Sequence, residues 1–321
     1  MKKILAIALA LIMMLSFAAC GSEPAAESED QTYYVGICQL VQHDALDAAT
    51  QGFMDALTAE LGDAVTFSNQ NASGDTAVCS TIVNQFIAEE ADLILANATP
   101  ALQAAAAATT EIPILGTSIT EYGVALEIAD FTGTVGGNIS GTSDLAPLDQ
   151  QAAMLAEWFP DAKNVGLIYC SAEANSQYQV DVVKAELEAK GYTATLYSFS
   201  DSNDLAAVCE GAAAESDVIY VPTDNTVASN TALIDNICRV AGIPVIAGEE
   251  GICAGCGVAT LSISYYDLGY TTGQMAAKVL TGEANISEMA IEYAPATPKF
   301  NAEICEDLGI TPPSEDYVAI G

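Results

Sequence analysis

Positive charge is the first thing this chain lacks. Only eight of its 321 residues are Lys or Arg, against 43 Asp or Glu, and the formal net charge is −35. A surface of that sign repels nucleic acid and anionic lipid, which excludes functions that depend on gripping phosphate backbones. The sole arginine, Arg239, falls inside a helical stretch, so no guanidinium is offered to a phosphate, sulfate or dicarboxylate ligand. Histidine is equally scarce: His43 stands alone, and no Ser or Cys near it forms a nucleophile motif. The sequence shows no further ligands around its cysteines that would complete a metal site, and nothing supports an enzyme. Beyond the first nineteen residues, no apolar run is long enough to cross a bilayer as a helix.

What is present begins with MKKILAIALALIMMLSFAA, a dibasic start and an apolar run ending at small residues, which reads over 1–19 as an export signal. Phe17-Ala18-Ala19-Cys20 resembles a bacterial lipobox, so Cys20 is the expected lipidation site and the mature chain is expected outside the cytoplasmic membrane. Residues 20–32, rich in small and acidic residues without apolar periodicity, read as the lipidated tether. From Tyr33 onward roughly 290 residues remain, enough for two lobes with separate cores.

That remainder alternates short β-branched runs with helical periods. Strands read at 35–40, 65–68, 93–96 and 114–116, and Leu46, Phe53, Leu57 and Leu61 lie on one helical face. The pattern restarts with strands at 165–169, 194–198, 218–221 and 245–247. The fold class is therefore α/β, two Rossmann-like lobes with a ligand cleft between them. A further strand and long helix, in VATLSISYYDLGYTTGQMAAKVLTGE, imply that the chain crosses back to the first lobe and makes several hinge strands. The eight cysteines after Cys20 read mainly as small core hydrophobes; the pair Cys253 and Cys256, among glycines, leaves a loop disulfide open.

Eight blocks in order, VGICQLVQHDALDAATQGF, NQNASGD, NATPALQAA, IPILGTSITE, GGNISGTSD, VGLIYCSAEANSQ, VIYVPTDN and ISYYDLGYTTGQMAAKVLTGE, resemble the substrate-binding lipoproteins of ABC importers. Within that family they resemble the branch with tryptophan- and tyrosine-binding members. The resemblance implies a type I periplasmic-binding fold, a small ligand in the interlobe cleft, no cofactor, and delivery to a permease with a cytoplasmic ATPase, the protein acting as a monomer. It implies an N-terminal lobe of 33–143 plus about 265–295 and a C-terminal lobe of 144–264 plus about 296–321. Two departures from relatives are Glu121-Tyr122, where an Asp-Pro pair is frequent, and Ser264, where Asp is common.

An aromatic or other apolar amino acid is the ligand this implies, with a nucleoside or purine as the alternative, or a sensory rather than transport role. Asp224, between an apolar strand and a helix, is placed to meet an ammonium or to cap the helix. Thr99, Asn175 and Ser176 occupy helix starts, where hydroxyls and backbone N–H groups meet a carboxylate or serve as caps. Gln39 and His43 follow the first strand, and His43 reads as a cleft-rim or ordinary loop residue. Thr120 and Asn225 complete the strand-end set, and Tyr265-Tyr266 read as preceding the last long helix, where Tyr265 or Tyr266 is placed to stack on an aromatic ligand or to pack at the hinge.

Overall fold

The computed structural model describes residues 31–320; the leader, Cys20 and most of the tether lie outside them. The first half contributes strands β1 (Tyr33–Gln39), β2 (Val65–Asn71), β3 (Leu93–Asn97), β4 (Ile114–Ile119) and β5 (Ile139–Ser143). The second contributes β6 (Asn164–Cys170), β7 (Thr193–Phe199), β8 (Val218–Val221), β9 (Val245–Ala247) and β10 (Ala259–Ser262), followed by β11 (Glu292–Tyr293), β12 (Thr297–Phe300) and β13 (Val318–Ala319). They form a six-stranded sheet, β11-β5-β4-β3-β1-β2, and a seven-stranded sheet, β13-β12-β10-β9-β8-β6-β7. All pairings are parallel except β10 with β12.

The inner strands β3, β8 and β9 are buried along their whole length because helices cover both faces of each parallel sheet. Phe86, Leu102 and Ile114 pack on one face of the first sheet, and Phe53, Leu57 and Leu95 on the other. Leu167, Val183 and Tyr220 stand against Ile168, Ile219 and Ile234 across the second.

Helix α1 (Asp44–Leu61) follows β1, and α2 (Thr76–Ala88) and α3 (Thr99–Ala108) follow β2 and β3. The long helix Tyr265–Leu280 packs on this first lobe as well, against α1. It lies so close to α1 that a Cβ on Gly269 would sit 1.9 Å from the Ala49 carbonyl oxygen, and one on Gly52 would sit 2.1 Å from that of Tyr266. Only glycine permits backbones to approach this closely. The chain thus passes from the first sheet after β5, returns after β10, and leaves again after β11. Among the described residues no helix is long and apolar enough to cross a membrane.

Three expectations need correction. Strands extend past their apolar runs to polar ends such as Asn71 and Asn97, because ladder pairing continues there. Tyr265 and Tyr266 open the long helix rather than precede it; Ser264 is its cap, accepting the Asp267 N–H at 3.2 Å. Cys253 and Cys256 lie not in a loop but in the helix Glu250–Cys256, and both are free and buried. Glu249 nucleates that helix by accepting the Gly251 N–H at 2.6 Å, and both sulfurs turn into the core beside Ile252 and Cys238.

Candidate functional site

Parallel strands place all their C-terminal ends on one edge, and the two sheets turn those edges toward a shared pocket. The first sheet supplies His43 and Leu46 after β1, Ser118 and Thr120 at the end of β4, and Asp144 after β5. The second supplies Asn175 after β6, Thr223, Asp224, Asn225 and Ala228 after β8, and Glu249 after β9; Tyr265, opening the long helix after β10, completes the wall. The walls enclose an envelope of about 280 Å³, open solvent included, of which only about 10 Å³ admits the centre of a water molecule, so the two sheets are closely apposed over the site.

Six of the nine residues expected at the site therefore meet here: His43, Thr120, Asn175, Asp224, Asn225 and Tyr265. Gln39, Thr99 and Ser176 are buried but do not line the pocket. Gln39 is engaged within its own lobe, donating to Asp47 at 2.6 Å and to the Val41 carbonyl at 2.9 Å while accepting from Thr50 at 2.7 Å. Thr99 lies within the first turn of α3, and the Ser176 hydroxyl accepts from Asn175 Nδ2 at 3.3 Å. Glu121 caps the short helix Tyr122–Ala125 and lines an open groove outside the pocket.

Asp224 is 1% exposed and caps the short helix Asn225–Ala228. Its Oδ1 accepts the Val227 N–H at 2.9 Å and its Oδ2 the Cys170 N–H at 2.6 Å. Burial, and then the neighbouring Glu173 charge, push its carboxyl up to about 7 despite those bonds. Glu249, 2% exposed, is likewise pushed up to about 7 by burial. Glu173, behind the wall, accepts four bonds from the backbone and side chains of Asn225 and Thr226, at 2.7 to 3.1 Å. That leaves the Asn225 Oδ1 to face His43 Nε2 at 3.3 Å, a contact from one lobe to the other. Burial lowers the His43 pKa, so the neutral imidazole is favoured.

The sequence reading missed Ser118, Asp144 and Glu249. Ser118 sits in the left-handed region, φ 57°, where the β4–β5 register shifts, and this bulge aims its side chain at the pocket. Asp144 is buried; its Oδ2 accepts the Tyr265 hydroxyl at 2.9 Å. Burial raises its pKa, with the Tyr265 hydroxyl pulling the other way. Asp144 Oδ1, Ser118 Oγ and Asn175 Oδ1 are all buried without a hydrogen-bond partner. Native proteins leave few such atoms, and three converging on one pocket mark a place where a ligand completes the bonding. No Lys or Arg lines the pocket, so its wall is negative or neutral throughout. Among the described residues no group of three or more His, Cys, Asp or Glu side chains is placed to hold a metal ion.

Residues 34–317 match the family described as ABC transporter substrate binding protein. A tyrosine-binding protein from Clostridioides difficile is 35% identical over 253 residues, covering 78% of this chain and 73% of the relative. A Streptococcus pneumoniae ABC domain solved in complex with L-Trp superposes with a TM-score of 0.85 at 31% identity, covering 90% of this chain and 100% of that one. The ligand-free, open structure of a substrate-binding protein with adhesive properties from Clostridium difficile is 35% identical, covering 90% and 99%, but superposes with a TM-score of only 0.68. These neighbours are binding proteins rather than enzymes, and the two doubly wound sheets are those of the type I periplasmic-binding fold. The chain belongs to the ABC transporter substrate-binding protein family.

Proposed function

We propose that this protein is the extracytoplasmic solute-binding lipoprotein of an ABC importer, and that it captures an aromatic or other apolar amino acid. The observation that carries this reading is the set of three orphaned polar atoms in a pocket with no cationic residue in its wall. Buried acceptors beside acidic side chains favour a ligand bearing an ammonium, and the absence of guanidinium or lysine disfavours one bearing net negative charge. Leu46, Ala228 and the Tyr265 ring provide the apolar part of the wall. Relatives that bind tyrosine or carry L-Trp support an aromatic side chain on that ligand.

The ligand is held between an N-terminal lobe, 33–143 with about 265–295, and a C-terminal lobe, 144–264 with about 296–321, which close by hinge motion. The three crossings between sheets support that division. The described conformation is read as the closed one. It superposes better on a ligand-bound relative than on an open relative of higher identity, and His43 and Asn225 meet across the cleft. A leader over 1–19 and lipid on Cys20 would hold the protein, as a monomer, near a permease with its ATPase. Thermal-shift screening of the amino acids and of nucleosides tests the ligand class. Stabilisation by L-tyrosine or L-tryptophan supports the reading, and stabilisation by nucleosides alone rejects it.

A further inference from the structure

The four acids around the pocket differ in what already engages them. Asp224 has one backbone N–H on each oxygen. Glu249 has the Ile252 N–H on Oε1 and the Gly251 N–H on Oε2. Glu173 has both oxygens engaged by Asn225 and Thr226. These three acids anchor helix starts, with both oxygens of each already engaged by backbone or side-chain donors.

Asp144 is different. One oxygen is fixed by Tyr265, and the other, on a residue 4% exposed that lines the pocket, meets no donor. A buried carboxylate oxygen left bare is strongly unfavourable unless a donor arrives with the ligand. Asn175 supplies a second acceptor from the opposite sheet. Its Nδ2 is held by the Thr223 carbonyl at 3.1 Å, so the orphaned Oδ1 is the atom left for a ligand. An ammonium has three N–H donors and can satisfy both. Ser118 differs again, because a hydroxyl can donate, and its strained backbone fixes where it points.

We propose that Asp144, not Asp224, pairs with the α-ammonium of the ligand, with the Asn175 Oδ1 as second acceptor and the Ser118 hydroxyl donating to the ligand carboxylate. The proposal rests on the amino-acid reading given above. Asp224 holds the loop after β8 in place and shapes the wall without making the charge contact.

Titration calorimetry of L-tyrosine and L-tryptophan, each beside its desamino analogue with hydrogen in place of the ammonium, tests this. The wild type should prefer the amino acid by roughly 30-fold or more, the scale of losing one partner of a buried charge pair. Asp144→Asn should abolish most of that preference by weakening the amino acid while leaving the desamino analogue little changed. Asp224→Asn should change both affinities by the same factor, keeping the preference, with melting curves showing that each variant is folded. Equal wild-type affinity for the two ligands of a pair overturns the proposal without any variant. So does a preference that survives Asp144→Asn or vanishes in Asp224→Asn. A wild type that binds none of the amino acids overturns the amino-acid reading itself, and this proposal falls with it.

Discussion

Raising the pH from about 6 to about 8 should destabilise the unliganded protein, because burial has left acids in the cleft that resist ionising. Asp224 and Glu249 are each held at about 7, whereas free carboxyls titrate near 4. The native state therefore carries protons through this window that the unfolded chain has already lost, and stability falls as pH rises. A group with a folded pKa near 7 loses about 1.4 kcal/mol between these limits, so the pair loses about 2.7 kcal/mol. Asp144, also raised by burial, adds in the same direction. His43 opposes: burial lowers its pKa, so the unfolded chain takes up the proton more readily and rising pH favours the fold, by less than about 0.8 kcal/mol. The net loss of about 2 kcal/mol corresponds to a Tm lower by about 4 °C for a chain of this size. Scanning calorimetry at pH 6, 7 and 8 measures it, and the double variant Asp224→Asn, Glu249→Gln should remove most of the slope. A Tm that is flat or rises over the window, or a slope that persists in the double variant, refutes the assignment of protons to these two acids.

Gly269→Ala should destabilise by about 1–3 kcal/mol, because its Cβ would collide with the Ala49 carbonyl and push the long helix off α1. Gly211→Ala, with nothing within 4 Å of the new methyl, should instead stabilise by about 0.5–1 kcal/mol, and paired thermal melts check both. Cys20→Ser should release the protein from membranes in fractionation after high-salt washing; a variant that still partitions with membranes rejects the lipid anchor.

The sheets were legible because a strand buried on both faces must be a short apolar run, as at Val218–Val221 and Val245–Ala247. Strand β5, Ile139–Ser143, escaped that test: it reads ISGTS, and its burial comes from neighbours rather than from its own side chains. The helix Glu250–Cys256 was hidden by its glycines, since what starts it is the Glu249 cap. At the site, the strand-end rule that singled out Asp224 applies equally to Asp144. What separates them is a donor 54 residues away in sequence, the Cys170 N–H, which the fold brings to Asp224, leaving the Asp144 Oδ1 bare. No local pattern encodes that difference. Gln39 and Thr99 had the right edge of the sheet but were already engaged or turned away, which spacing also cannot reveal.

The most direct test of the central claim is a crystal structure of the protein with L-tyrosine or L-tryptophan. The account predicts the amino acid between the two sheets, its ammonium within hydrogen-bond distance of Asp144 Oδ1 and Asn175 Oδ1, and its carboxylate on the Ser118 hydroxyl. An amino acid bound outside this pocket, or bound in it with Asp144 Oδ1 still unpartnered, would contradict the account.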